Sequence, residues 1–172
     1  EELLCTTDLQ RAMEGSEILV LSVPSIYTRS TARAMAAFYQ PEQLLVNVAK
    51  GIEEATLEIL TDQISEEIPG CQVCVLSGPS HAEEVVRGLP TTCVVGAPTR
   101  ENAEKVQSAF MSPVFRVYTS ADMQGIELGG SLKNVIALAA GISDGLGYGD
   151  NAKAALITRG IVEITRLGKA MG

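Results

Sequence analysis

The segment Gly129–Gly141, GGSLKNVIALAAG, is built from small and apolar residues yet carries Lys133 and Asn134 near its start. A lysine taken out of water is costly while charged, so it shifts its pKa or finds a partner. At about 100° per residue, Gly130, Lys133, Asn134, Ala137 and Gly141 share one helix face, on which the lysine is the only long side chain. A face lined with Gly and Ala lets a ligand or another surface come close, with Lys133 and Asn134 as its polar tips. Glu127, two turns before Asn134, falls near the same stripe. Leu128, Leu132, Val135 and Leu138 cover much of the remaining surface, as a buried helix requires. Two readings stay open: Lys133 snorkels from a buried helix to solvent, or the pair does chemistry.

A second lysine stands where ligands collect. In open parallel sheets, ligands bind at the carboxyl ends of the strands. Three strand-like runs here end in turn-forming sequences: VPS at Val23–Ser25, AKG at Ala49–Gly51 and SGPS at Ser77–Ser80. Lys50 then lies at the rim of the sheet, and Gly78 lets backbone approach a ligand. Ordinary strand-ending turns are the alternative for any one of the three.

The elements that must carry these residues follow from the hydrophobic pattern. EILVLSVPS precedes SIYTRSTARAMAAFY, LLVNVAKGI precedes EEATLEILTDQISEEI, and CQVCVLSGPS follows. Strand-then-helix alternation predicts a mainly parallel sheet, and strands apolar without alternation are those covered on both faces. TTCVVGA and FRVYTS flank a predicted helix, RENAEKVQSAFM, and extend the sheet or fold back as its edge. From Ala121 two helical patterns follow with no strand between them. The expected fold class is therefore α/β: a Rossmann-like, mainly parallel sheet over residues 1–120, a partial dinucleotide-binding domain, then the start of an all-helical domain over residues 121–172.

GYGDNA, Gly147–Ala152, fits the G-x-G-x-x-A dinucleotide fingerprint but follows a helix rather than a strand, so its structural condition fails. It reads as an interhelical loop with Asp150 or Asn151 as N-cap. No G-x-G occurs before Gly145, so a Rossmann domain here lacks its first strand and phosphate loop.

Bulk properties exclude other classes. A formal net charge of −8 argues against nucleic acid, whose phosphates call for basic patches. A small anionic substrate must then be drawn in by a few placed cations. No apolar run approaches the ~20 residues of a membrane span, and the charged start EELLCTTDLQ argues against a signal peptide. Of the four cysteines, Cys71 and Cys74 form a C-x-x-C. On a strand, however, residues three apart face opposite sides. With His81 as the single histidine, no metal site is expected.

The ordered set VPS, VNVAKGIE, VLSGPSHAEEV, ELGGSLKNVIALAAGISDGLGYGDNAKAALITRG and RLGKAMG resembles the bacterial NAD(P)-dependent glycerol-3-phosphate dehydrogenases over nearly the whole chain. The resemblance implies reduction of dihydroxyacetone phosphate to sn-glycerol 3-phosphate, a glycerophospholipid precursor, with NADH or NADPH. It also implies a cytoplasmic homodimer with a Rossmann domain followed by a helical one. By the same resemblance Lys133 matches the proton-transferring lysine and Asn134 its neighbour in the site. Lys50 matches a lysine touching cofactor and substrate, Gly78 and Ser80 match substrate contacts, and Ala82 a cofactor contact. Tyr27 stands where an aromatic residue packs on the cofactor, and His81 where Phe or His packs.

Such a reaction has clear needs. Hydride transfer from a nicotinamide to a ketone leaves an alkoxide that must gain a proton, so the site needs an acid and a donor aimed at that oxygen. A lysine suits the task, since desolvation and a second cation lower its pKa; Lys50 is the expected second cation, and both lysines balance the substrate phosphate. The phosphate loop is expected before Glu1, and further Asp, Ser/Thr and Arg-Asn elements after Gly172, making this chain a central fragment inactive by itself. The rivals are another β-hydroxyacid-type dehydrogenase, whose K-x-x-x-N pattern fails at Ala137, and a non-catalytic nucleotide-binding or dimerisation module.

Overall fold

In the computed structural model, which describes residues 3–172, the apolar runs assemble into one five-stranded sheet in the order β1-β2-β3-β4-β5. Glu1 and Glu2, the first residues of the charged start, lie outside the described residues. Strands β1 (Ile18–Leu21), β2 (Leu44–Asn47) and β3 (Gln72–Ser77) run parallel. Strand β4 (Thr91–Gly96) is antiparallel to β3, and β5 (Phe115–Ser120) is parallel to β4. The link from β3 to β4 holds one short helix, α4 (Ala82–Val86), and there the chain reverses.

Alternate residues of the central strands feed two cores. Leu45 and Val73 face α1 (Leu9–Met13), α2 (Thr28–Met35) and α3 (Leu60–Glu67), where Met13, Ala32, Met35 and Ile64 close one layer. Leu44, Val46, Cys74 and Leu76 face the other side, closed by Ala103 and Val106 of α5 (Arg100–Phe110). Strand β2 is buried throughout, as its unalternating sequence predicts. Edge strand β1 instead leaves Val20 46% exposed. Cys71 packs against the first layer and Cys74 lies in the second, so the C-x-x-C does straddle the sheet.

Two predicted helices are shorter than their sequence patterns. SIYTRSTARAMAAFY yields a 3₁₀ turn at Ser25–Tyr27 and then α2, which stops at Met35. The expected helix over EEATLEILTDQISEEI begins only at Leu60. Residues 52–59 instead form a tight turn closed by an Ile52–Ile59 bridge, with Leu57 at a φ of 63°. The reason is tertiary: Arg29 grips Glu53 with two hydrogen bonds of 2.7 Å and reaches Glu58 at 2.9 Å, drawing the two ends of the turn together. This bidentate pairing outweighs helix propensities of a few tenths of a kcal/mol per residue. It also holds the Glu53 carboxyl well below its ordinary range, at about 2.

After Ser120 come α6 (Met123–Gly145) and α7 (Gly149–Met171), packed against each other. Helix α6 is not the buried helix its composition suggests. Leu128 is 1% exposed, but Val135 and Leu138 are 64% and 69% exposed. Met123, Ile126 and Gly130 meet the strands β4 and β3, and among the described residues α7 is the main neighbour of α6. The interhelical loop is also tighter than expected. Gly147 and Gly149, with φ of 72° and 80°, turn the chain so sharply that α7 starts at Gly149. Asp150 therefore sits in its first turn, paired with Lys153, instead of capping it.

Candidate active site

The carboxyl end of β2 is shaped by Asn47, a fully buried amide. Its Oδ1 accepts the Ala49 N–H at 3.1 Å, an Asx-type turn that bends the chain out of the strand and presents Lys50 at the rim. Half-buried Lys50 donates from Nζ to Ser80 Oγ at 3.5 Å, and Ser80 Oγ donates to the Gly78 carbonyl at 3.4 Å. The turns after β2 and β3 thus form one polar cluster. Gly51 packs on the turn after β1, since a Cβ there would stand 2.7 Å from the Ser25 side chain.

Gly78 is required by the fold as well as available to a ligand. A Cβ on it would lie 2.5 Å from the Thr92 carbonyl oxygen and 2.8 Å from Cys93 Cα, so its side-chain direction is filled by antiparallel β4. Cys93 lies beneath this turn; burial pushes its thiol up, opposed by Ser80 and Lys50.

Helix α6 brings the second lysine. At Gly130 a Cβ would meet Ser77 Oγ at 2.8 Å and Lys50 Cγ at 3.7 Å. The small residue therefore lets α6 cross directly over the ends of β2 and β3. Lys133 follows less than one turn later, and its Nζ donates to Asn134 Oδ1 at 2.9 Å. Both are exposed. A cleft of about 840 Å³ runs between the end of β3, α6 and α7, with Ser77, Gly78, Gly130, Lys133 and Lys169 among its lining residues.

The expected site residues thus fall into two groups that meet at Gly130. Lys50, Gly78 and Ser80 form the rim cluster, while Gly78 and Lys133 share the cleft. Ala82 is the exposed first residue of α4, after His81 as its N-cap, and Tyr27 is 54% exposed beyond β1. Asn134, Lys50, Ser80 and Ala82 are not among the residues lining the cleft.

Three residues of this arrangement were not singled out as site residues by their sequence. Asn47 and Ser77 are buried polar residues closing apolar runs, the signal that could have marked them. Glu127 was placed near the Lys133 stripe, yet its carboxyl is buried against the first turn of α3. Oε1 accepts the Thr61 N–H at 3.2 Å, and Oε2 shares a short hydrogen bond with the Thr61 hydroxyl. Burial pushes this carboxyl up to about 7 despite those bonds, with Asp62 adding to the rise.

The family models agree with this architecture. The model of the NAD-dependent glycerol-3-phosphate dehydrogenase N-terminus matches residues 1–103, and that of the corresponding C-terminus matches residues 122–172. The chain belongs to this family. Its relatives include the glycerol-3-phosphate dehydrogenase [NAD(P)+] of Agathobacter rectalis, 62% identical over 97% of this chain and 50% of the relative. The enzyme of the same name from Fusobacterium nucleatum is 58% identical over 100% of this chain and 52% of the relative. Among solved structures, glycerol-3-phosphate dehydrogenase from Coxiella burnetii superposes with a TM-score of 0.89 at 35% identity, over 96% of this chain and 50% of that one. The chain spans about half the length of the curated relatives it matches. The family is one of NAD(P)-dependent oxidoreductases, which accords with the Rossmann-type sheet.

Proposed function

We propose that the whole protein reduces dihydroxyacetone phosphate to sn-glycerol 3-phosphate, with NADH or NADPH, and so supplies the glycerol backbone of glycerophospholipids. The observation that carries this reading is the crossing at Gly130, which sits on Ser77 and the stem of Lys50 and comes less than one helical turn before Lys133 on α6. Two cations from separate elements, together with serine hydroxyls at a sheet rim, suit a small phosphorylated ketone.

A nicotinamide dinucleotide fits the same rim. Ser25, Gly51 and Gly78 pack the turns tightly, and exposed Ile26 and Tyr27 beside them offer apolar surface for a ring. When bound, the dinucleotide supplies the hydride. Lys50 and Ala82 would hold it, with Lys50 also contacting substrate. Lys133 donates the proton that the carbonyl oxygen needs, and Asn134, already bonded to its Nζ, orients that carbonyl. Gly78 and Ser80 hold the substrate phosphate end against the rim.

In this reading residues 1–120 belong to the dinucleotide-binding domain, and residues 121–172 begin a helical domain for substrate and dimer contacts. The exposed apolar residues of α6 and α7, such as Leu138 and Ile161, call for a further covering surface in the whole protein, which we read as a homodimer on the family resemblance. No described helix is long and apolar enough to cross a membrane; the cytoplasm is the location proposed with this reading. The 172 residues alone should be inactive.

The test is oxidation of NADH and NADPH by dihydroxyacetone phosphate in the whole protein, wild type against Lys133→Met. Loss of a general acid should lower kcat by roughly 10² or more. Full activity in the variant would return Lys133 to the role of a snorkelling side chain, and an inert wild type would refute the substrate.

A further inference from the structure

Helix α6 is located against the sheet by a short stretch at its start. Leu128 is buried, Gly130 sits on Ser77 and Lys50, and Glu127 reaches Thr61 on α3. The apolar and small-residue contacts are non-directional and permit the helix to slide or roll. A slip of one residue would turn Lys133 by about 100° away from the rim. The paired hydrogen bonds to Thr61 are directional and do not permit it.

We infer that Glu127 is a positioning residue for Lys133: its two hydrogen bonds to Thr61 fix the register of α6 on α3 and so hold the lysine in the cleft beside Gly78 and Gly130. The inference rests on the reading of Lys133 as proton donor. Taking a carboxyl out of water is costly where a leucine would pack freely, and directional register is what leucine cannot give. The arrangement also survives a change of protonation. An ionised Glu127 accepts both the N–H and the O–H of Thr61; a protonated one accepts the N–H and donates to the hydroxyl, which can reverse its role.

Glutamine can make the same two bonds, whereas leucine makes neither. In the whole protein, Glu127→Leu should lower kcat by roughly 10², the cost of a misplacement of about 1 Å, with KM for the dinucleotide unmoved. Glu127→Gln should restore kcat close to wild type. Thr61→Val, which removes one bond from the other side and keeps the packing, should fall between, and Thr61→Ser should match wild type. Hydrogen exchange supplies a readout independent of turnover: amides of Ser131–Ala137 should lose protection in Glu127→Leu and keep it in Glu127→Gln, while those of β2 stay unchanged. Wild-type kcat and unchanged α6 protection in both Glu127→Leu and Thr61→Val would overturn the inference, as would a Glu127→Gln variant no better than Glu127→Leu. Should Glu127→Leu fail to fold, Thr61→Val against Thr61→Ser decides. If wild type does not reduce dihydroxyacetone phosphate, the functional reading fails separately, and the exchange data alone decide whether Glu127 holds α6.

Discussion

Substituting Glu127 by glutamine should change the pH dependence of folding between about pH 4.5 and about pH 7. The carboxyl is pushed up to about 7 in the fold from an ordinary 4.5, so between those values the folded chain binds more protons than the unfolded chain. Stability therefore falls as pH rises through this window, and the loss is complete above about pH 7. At about 1.4 kcal/mol for each unit between folded and unfolded values, the swing is roughly 3 kcal/mol. Glutamine does not titrate, yet it can keep both bonds to Thr61. Urea unfolding of wild type and Glu127→Gln, followed from about pH 4.5 to about pH 8, should thus show their stability difference moving by about 3 kcal/mol in favour of the variant. Other groups are common to both chains. Glu53, held down to about 2 by Arg29, loses its stabilising contribution only below this window. A difference that stays flat with pH would refute the burial argument, and one of opposite slope would mean that the fold prefers the ionised carboxylate.

Gly78→Ala should destabilise the chain by about 1–3 kcal/mol in the same assay, because the new Cβ meets β4 backbone that cannot swing aside; an unchanged midpoint would show that the β3–β4 pair can relax. Arg29→Ala should lower the melting temperature and speed amide exchange in residues 52–59. In wild type the Arg29 contribution should be present above pH about 4.5 and fade as pH falls toward about 2; a variant with the wild-type pH profile in that range would remove Arg29 as the organiser of the turn.

The alternation of apolar runs with helical patterns made the parallel part of the sheet legible, and the unbroken apolarity of LLVN marked a strand covered on both faces. The direction of β4 was open, because TTCVVGA reads alike in either orientation. The short turn at residues 52–59 was hidden, since its glutamates favour helix until Arg29, far away in sequence, gathers them. Lys133, Asn134 and Lys50 stood out as polar residues in apolar or strand-ending contexts. Glu127 lay near the right stripe, but nothing local could say that Thr61 would meet it.

By itself, then, the sequence determined the class of fold, the family and the lysines that could do chemistry, because periodicity, small-residue faces and motif order are local properties of the chain. The tertiary structure decided which of those residues meet. Gly130 brings the stem of Lys50 to α6 only because β2, β3 and the start of α6 converge on one point. Glu127 becomes a titratable contact near neutrality only because folding removes it from water while giving it Thr61. Burial and long-range hydrogen bonds are created by the fold as a whole, and no window along the chain contains them.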